Sequence, residues 1–216
     1  MLSWVFVGAG NLIGDLVDAA KARQDVVRCV LTNQPLPARL IDKIGKMGVP
    51  IVPLENYTPL IDQFLFGFLN PNKEEFLDAL ARRRSECDSM QNQFLWANLV
   101  HPKAYVANDV DLGSGNYLAA NSVIGSSSKL EQHIFINRAA SVGHDTHIGS
   151  FTHIGPGATV CGNCQLGEKV YVGAGSTIID GIKIADGTTV GAGAVVTKNI
   201  ETAGVYVGVP AKLMRR

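Results

Sequence analysis

The feature that most constrains this chain is a six-residue period in its C-terminal half. Every sixth position from Val100 to Val196 carries an aliphatic residue. The apolar positions of an amphipathic α-helix recur at three and four residues, and those of a half-buried strand recur at two. A period of six predicts a triangular solenoid in which each hexapeptide forms one side and three hexapeptides form one coil. The aliphatic side chains then stack inside as the core.

The positions around each aliphatic residue also follow the period. The residue after it is often glycine, as at Gly125, Gly143 and Gly155. The residue two before it is usually small, as at Ser128 and Thr146. Glycine suits a corner with little steric room, so the pattern predicts short strands alternating with tight corners.

The N-terminal half has a different pattern, in which apolar strands alternate with helical spacing. The expected strands are Trp4–Val7, Val26–Leu31, Val49–Val52 and Phe64–Leu69, and the expected helices are Leu12–Ala20, a segment around Leu40 to Ile44, and Lys73–Arg84. Such alternation is typical of a small parallel sheet of the nucleotide-binding type. We therefore expect a small α/β, Rossmann-like domain over residues 1–97 and a parallel β-helix with a C-terminal tail over 98–216.

A glycine motif follows the first strand. Gly8, Gly10 and Gly14 stand at a strand-to-helix turn, where a helix N-terminus can hold a phosphate. The spacing differs by one residue from the dinucleotide fingerprint, and Thr32-Asn33-Gln34 after the second strand contains no acidic residue for a ribose. Two interpretations stay open: a structural tight turn, and a phosphate or sugar-nucleotide site.

Charge and hydropathy limit the possible partners and the location. Nineteen basic residues balance nineteen acidic residues, so no overall charge favours nucleic acid or an anionic membrane as a partner. No apolar run has the roughly 18 residues that span a bilayer. The first residues lack the basic region and cleavage site of a secretory signal, so we expect a cytoplasmic protein.

The four cysteines do not suggest a disulfide framework in a chain of 216 residues. Cys161 and Cys164 form a single C-x-x-C, which is compatible with half of a zinc site or a redox pair. Both also lie on repeat positions that use small residues. Because free cysteine behaves as a small buried hydrophobe, we expect a structural role.

Four of the five histidines lie close together along the solenoid: His133, His144, His147 and His153. A clustered set of histidines is a candidate source of a general base, because histidine can accept a proton near neutral pH. His144 is followed by Asp145, whose carboxylate can fix the tautomer of the imidazole. For His133 and His147, exposed surface positions are the simpler expectation.

Other functions use the same kind of solenoid. Some carbonic anhydrases have this fold and hold zinc with three histidines across a subunit interface, two of them five residues apart on one coil. This chain has no histidine pair at that spacing, although ligands from two chains keep the alternative open. A non-catalytic solenoid that only assembles a trimer is a further alternative.

Three segments carry a family resemblance. Residues 140–157 (ASVGHDTHIGSFTHIGPG), the tail 204–212 (GVYVGVPAK) and the entry 98–102 (NLVHP) resemble the sialic acid O-acetyltransferase and bacillosamine-type amino-sugar N-acetyltransferase family. The resemblance covers essentially the whole chain. It implies a left-handed β-helix, a homotrimer, acetyl-CoA as cosubstrate, a nucleotide-sugar acceptor and no metal.

The resemblance also implies residue roles. His144 matches the general base and Asp145 the acid that orients it, while Asn137 and His153 match residues beside the acetyl group or the acceptor. The N–H of Gly162 matches the donor that polarises the thioester carbonyl. Coenzyme A would lie between adjacent solenoids of the trimer, and the positions implied to contact it are Gly173, Ala174, Ala192 and, through a phosphate, Lys212.

The N-terminal turn departs from the family. The family usually has a histidine where this chain has Asn11, in the turn that contains Gly8 and Gly10, and Asn33 matches an acidic residue that contacts the base. These departures affect the acceptor rather than the chemistry. The expected function is therefore acetyl-CoA dependent N-acetylation of a nucleotide-linked amino sugar, with sugar O-acetylation as the nearest alternative.

Overall fold

A computed structural model describes residues 1–8, 13–32, 35–57, 63–66 and 95–214. The chain divides into two compact units, Met1–Leu99 and Val100–Arg216. Within the described ranges, no helix is both long enough and apolar enough to cross a membrane.

The first unit contains a parallel five-stranded sheet in the order β3-β2-β1-β4-β5. Its elements are β1 (Ser3–Val7), α1 (Ile13–Ala22), β2 (Val26–Thr32), α2 (Ala38–Lys46), β3 (Ile51–Pro53), a 3-10 turn (Leu54–Asn56), β4 (Gln63–Phe66) and β5 (Leu95–Trp96). The predicted parallel sheet is confirmed. The end of the predicted strand at Phe64–Leu69 and the predicted helix at Lys73–Arg84 lie outside the described residues.

Helix α1 buries one apolar side and packs near α2. Leu16, Val17 and Ala20 on this helix are almost completely buried. A Cβ on Gly14 would lie 3.2 Å from the Nζ atom of Lys43 in α2. The third glycine of the motif therefore allows close packing between the two helices.

The second unit is a left-handed parallel β-helix with three flat faces, as predicted. Face 1 consists of β7 (Tyr105–Val106), β10 (Val123–Ile124), β13 (Ser141–Val142), β16 (Thr159–Val160), β19 (Thr177–Ile178) and β22 (Val195–Val196). Face 2 consists of β8 (Asp111–Leu112), β11 (Lys129–Leu130), β14 (His147–Ile148), β17 (Gln165–Leu166) and β20 (Lys183–Ile184). Face 3 consists of β6 (Leu99–Val100), β9 (Tyr117–Leu118), β12 (Phe135–Ile136), β15 (His153–Ile154), β18 (Tyr171–Val172), β21 (Thr189–Val190), β23 (Val205–Val207) and the antiparallel β24 (Lys212–Leu213).

The aliphatic residues of the period form the core of the solenoid. In β13, β14 and β15 the second residue, Val142, Ile148 or Ile154, is at most 1% exposed. Burying one such side chain stabilises the fold by about 1.5–3 kcal/mol before the entropy of ordering is subtracted. The predicted inward stacking is confirmed.

At Gly143, the glycine is required by the approach of the next coil rather than by a left-handed backbone. A Cβ on Gly143 would lie 2.5 Å from the backbone nitrogen of Gly162 in the next coil. The left-handed backbone occurs two residues later, where Asp145 has φ 51° and Asn163 has φ 57°. Aspartate and asparagine tolerate this conformation better than most residues.

The small residues before each strand form a buried ladder. The hydroxyl of Ser128 donates to the carbonyl of Gly143 (2.9 Å), and that of Thr146 donates to the carbonyl of Cys161 (3.2 Å). One coil further on, the thiol of Cys164 donates to the carbonyl of Ile179 at 3.2 Å. Burial raises the pKa of the Cys164 thiol, in keeping with a structural position.

Three corner columns connect the faces, and each is named after one residue. The His144 edge joins face 1 to face 2 and includes residues 125–128, 143–146, 161–164 and 179–182. The Ala192 edge joins face 3 to face 1 and includes residues 137–140, 155–158, 173–176 and 191–194. The Phe151 edge joins face 2 to face 3 and includes residues 131–134, 149–152 and 167–170.

Candidate active site

The side chains of His144 and Asp145 form a hydrogen-bonded pair on the surface of the His144 edge. The Nδ1 atom of His144 lies 2.7 Å from Oδ2 of Asp145, and the two side chains are 57% and 56% exposed. The backbone N–H of Asp145 donates to the carbonyl of Ser126 at 2.9 Å, which holds the corner in place. A carboxylate at Nδ1 favours the tautomer with its proton there, so Nε2 is the basic nitrogen.

The basic nitrogen faces a gap in a column of side chains. Ser126, His144, Gly162 and Asp180 occupy the same corner position in four successive coils, and all except Gly162 are exposed. A Cβ on Gly162 would lie 2.8 Å from Nε2 of His144 and 3.1 Å from Oδ1 of Asp180. We call the space at this missing side chain the Gly162 notch.

Asp180 borders the notch and was not among the residues that the sequence indicated. Its Oδ1 accepts a long hydrogen bond of 3.5 Å from Nδ2 of Asn163, and its side chain is otherwise directed to solvent. Its distance along the chain from His144, a whole number of coils, could have identified it. Residues separated by one coil stack in register. Asp180 lies two coils from His144 in the same column.

The backbone N–H of Gly162 is available at the notch. The carbonyl of Gly162 accepts from the N–H of Gly181 at 3.0 Å. Within the described part of the chain, no acceptor lies at hydrogen-bond distance from the N–H of Gly162. A backbone donor beside a base is the arrangement that stabilises negative charge developing on a carbonyl oxygen.

His153 and Asn137 lie together, but not beside His144. His153 begins β15, is 7% exposed, and packs its ring against that of Tyr171 at 4.8 Å between centroids. Asn137 is 5% exposed, and its backbone N–H donates to the carbonyl of Ile154 at 2.9 Å. Both residues belong to the Ala192 edge or border it, so the width of face 1 separates them from His144 within one chain.

The remaining solenoid candidates also lie along the Ala192 edge. A Cβ on Gly173 would lie 2.5 Å from the backbone nitrogen of Ala192, and Ala174 and Ala192 are exposed. The tail returns to the same coil, because the N–H of Ala211 donates to the carbonyl of Val195 at 2.7 Å. This hydrogen bond places the exposed Lys212 near the Ala192 edge.

The other histidines have different environments. Nε2 of His147 lies 3.0 Å from Oε1 of Glu131, and the hydroxyl of Ser150 donates to Oε2 of Glu131 at 2.9 Å. The bond from Ser150, followed by that from His147, lowers the pKa of Glu131 against the effect of desolvation. His147 is exposed as expected, but the expectation for His133 was wrong: it is 4% exposed and stacks on Phe151 at 5.1 Å.

The N-terminal candidates are only partly described. Gly8 follows β1 with φ 72°, and its N–H donates to the carbonyl of Leu31 at 2.7 Å. A left-handed glycine at the carboxyl end of a parallel strand is typical of the turns that approach phosphates. Gly10, Asn11 and Asn33 lie outside the described residues.

Metal ligation receives no support from the described residues. In the ranges that the structure describes, no group of three histidine, cysteine, aspartate or glutamate side chains could hold an ion. Cys29, Cys161 and Cys164 are free thiols.

Comparisons with known proteins identify similar transferases. The family model "Bacterial transferase hexapeptide (six repeats)" matches residues 163–198. The acetyltransferase domain of PglB from Neisseria gonorrhoeae, solved with acetyl coenzyme A, is 25% identical, with 98% of each chain covered and a TM-score of 0.83. A variant of perosamine N-acetyltransferase from Caulobacter crescentus, solved with CoA and GDP-perosamine, is 25% identical over 99% of this chain and 97% of that chain, with a TM-score of 0.82.

A third structure shares the fold. WeeI from Acinetobacter baumannii is 20% identical over 99% of this chain and 100% of that chain, with a TM-score of 0.80. These similarities confirm the predicted resemblance, and the matches at 25% identity support assignment of the chain as an acyltransferase.

Proposed function

We propose that this protein is an acetyl-CoA dependent N-acetyltransferase that acts on the amino group of a nucleotide-linked sugar. The observation that carries the proposal is the His144–Asp145 pair, with Nε2 directed at the Gly162 notch beside a backbone N–H. The similarity to an acetyl-CoA complex of PglB and to a GDP-perosamine complex supports both substrates.

The chemistry is a direct transfer. The amine nitrogen attacks the thioester carbon while Nε2 of His144 accepts one of its protons, and Asp145 stabilises the imidazolium through Nδ1. The N–H of Gly162 donates to the carbonyl oxygen as negative charge develops on it. The carbon–sulfur bond then breaks, the proton passes from His144 to the leaving sulfur, and the products are an amide and a free thiol.

The working site in this proposal lies between two chains of a homotrimer. His144 and Gly162 occupy one edge of the solenoid, and His153, Asn137 and Ala192 lie at another edge, with face 1 between them. When the His144 edge of one chain meets the Ala192 edge of its neighbour, both groups of residues border one groove between the chains. Closed rings of identical chains produce such repeated contacts.

The Ala192 edge fits the long, thin coenzyme in this proposal. Ala174 and Ala192 are exposed and short, so an extended chain can lie along the backbone beside them. Lys212, near the same coil, offers a cation to a phosphate. His153 and Asn137 would then lie near the acetyl end of the coenzyme or the acceptor.

The acceptor's nucleotide is assigned to residues 1–97 as a sugar-nucleotide-binding domain, with residues 98–216 as the acetyltransferase domain. The left-handed turn at Gly8 supports a phosphate near the end of β1. Gly10, Asn11 and Asn33 are the further candidates for contacts with the nucleotide, on sequence grounds. An asparagine amide can both donate to a base and accept from it.

The test is an acetyl-CoA consumption assay across UDP-, GDP- and dTDP-linked amino sugars. Each sugar is paired with the analogue that carries a hydroxyl in place of the amine. We expect thiol release with one nucleotide family, together with an amide-linked acetyl group in the product by mass spectrometry. Acetylation of the hydroxyl analogues alone would replace this function with sugar O-acetylation. An acetylated protein trapped without acceptor would contradict direct transfer.

A further inference from the structure

The Gly162 notch has two acceptors, and the chemistry above uses only one of them. Nε2 of His144 and Oδ1 of Asp180 lie 2.8 and 3.1 Å from the same point, the missing Cβ of Gly162. The two atoms make no direct hydrogen bond in the described part of the chain. They therefore flank Gly162 on either side, and because both side chains are exposed, a substrate group that approaches from solvent can contact both atoms.

The separation of the two atoms lies within the reach of one bridging nitrogen. A nitrogen that donates two ordinary hydrogen bonds holds its acceptors roughly 4.5–6 Å apart. Nε2 of His144 and Oδ1 of Asp180 lie 2.8 and 3.1 Å from one point, so their separation does not exceed the upper end of this range. Lys198 occupies the next position of the column, but no ion pair joins it to Asp180 among the described residues.

An amine and a hydroxyl make different hydrogen bonds with these two acceptors. A neutral primary amine has two hydrogens and one lone pair, so it can donate to both acceptors while the lone pair points at the thioester carbon. A hydroxyl has one hydrogen, so once it donates to His144 its oxygen lone pairs face the carboxylate of Asp180. Oxygen lone pairs beside a carboxylate that has no cationic partner are unfavourable.

We propose that Asp180 is the acceptor-selecting residue of this enzyme: its carboxylate binds the second hydrogen of the attacking amine and disfavours hydroxyl acceptors. This inference rests on the proposed function and adds the reason for N-acetylation over O-acetylation. Asp180 would also hold the protonated amine on arrival by charge attraction. The substrate class is a primary amine on a sugar, presented to a notch lined by one imidazole and one carboxylate.

The experiment measures the selectivity ratio, kcat/KM for the amino sugar divided by kcat/KM for its hydroxyl analogue, in the full-length protein. Asp180→Ala removes the carboxylate, and Asp180→Asn replaces it with an amide that can donate to a hydroxyl oxygen. We expect the ratio to fall about 10- to 100-fold in both variants, the usual effect of one hydrogen bond to a charged group. If Asp180 served only in folding, its variants would lower kcat/KM for the amino sugar and for the hydroxyl analogue by the same factor. The ratio would then stay unchanged.

Two control variants separate the notch from general effects. Asp111→Asn makes the same charge change on an exposed strand residue of face 2, and we expect the wild-type ratio. Asn163→Gly removes the side-chain partner of Asp180 while glycine accepts the left-handed backbone there, and again we expect the wild-type ratio. If the selectivity ratio fell as far in Asn163→Gly as in Asp180→Ala, the direct role of Asp180 would be overturned.

The outcomes distinguish this inference from the function on which it rests. A wild-type protein that acetylates amines, with a ratio unchanged in both Asp180 variants, overturns the inference and leaves the function standing. A wild-type protein that acetylates no amino sugar nucleotide overturns both. A reduced ratio in both variants, with the controls at the wild-type value, supports both.

Discussion

The His144 edge and the Ala192 edge have the same backbone but very different surfaces. Each is a stack of four-residue corners between two-residue strands. The first presents His144, Asp145 and Asp180, and the second presents Gly, Pro and Ala at the corresponding positions in three coils. The first edge therefore carries the proposed base, and the second carries the short side chains beside which the coenzyme is proposed to lie. In the proposed function, a single chain therefore keeps the base apart from the coenzyme surface.

The largest expected effect tests the chemistry of the first edge. Replacing His144 with alanine removes the base, and we expect kcat to fall at least about 100-fold, the usual contribution of a general base. The measurement is steady-state thiol release at saturating acceptor. His147→Ala is the matched control, because His147 is also exposed on the solenoid and is bonded to Glu131. Full activity in the His144 variant would remove the base from the mechanism.

The next prediction tests whether the two edges meet between chains. Ala192→Trp should block the coenzyme surface, so this variant and His144→Ala are each expected to be inactive. After mixed refolding at equal amounts, about a quarter of the interfaces in a random trimer combine an intact His144 edge with an intact Ala192 edge. We expect up to about a quarter of wild-type activity to return. Mixtures that form mixed oligomers but stay inactive would place the complete site within one chain.

A smaller effect is expected from filling the notch. Gly162→Ala adds a Cβ 2.8 Å from Nε2 of His144 and 3.1 Å from Oδ1 of Asp180, and its backbone is not left-handed, so the close contacts are with side chains. The imidazole can rotate away, so the fold should persist while kcat falls about 10- to 100-fold through misplacement of the base. Gly45→Ala is the control, because a methyl group there touches nothing within 4 Å. Wild-type kcat in Gly162→Ala would show that the notch is not used.

The smallest effect concerns the Phe151 edge, which serves as a contrast to the other two. The hydroxyl of Ser150 is the main cause of the lowered pKa of Glu131, whose ordinary value is 4.5. A lowered carboxyl pKa stabilises the fold at neutral pH and loses that contribution as the pH falls below the ordinary value. Ser150→Ala should therefore lower the free energy of unfolding at pH 7 by less than about 1 kcal/mol, since the site is partly exposed.

Chemical denaturation at pH 7 and pH 3 measures this contribution. The gap between wild type and Ser150→Ala should be present at pH 7 and narrower at pH 3, and acetyl transfer should be unchanged. A reduced kcat in this variant would mean that the Phe151 edge takes part in catalysis, and the contrast with the other edges would fail.

Much of the fold follows from short-range pattern. The six-residue period predicted the solenoid because each coil repeats the same local environment, and Val142, Ile148 and Ile154 are buried as that period requires. The role of the corner glycines was less accessible. Gly143 is needed for the approach of the next coil, which is a contact between residues far apart in the sequence. The burial of His133 was not predicted for the same reason, because the ring that covers it belongs to Phe151 of the following coil.

By itself, the sequence determined the solenoid and the His144–Asp145 pair, because periodicity and adjacency are both local properties of a chain. Only the tertiary structure decided that Asp180 faces His144 across Gly162, and that face 1 separates His144 from His153. The physical reason is the stacking of coils in register. Because of this stacking, residues one coil apart in the sequence are neighbours in space. Residues of consecutive hexapeptides lie on different faces of the solenoid.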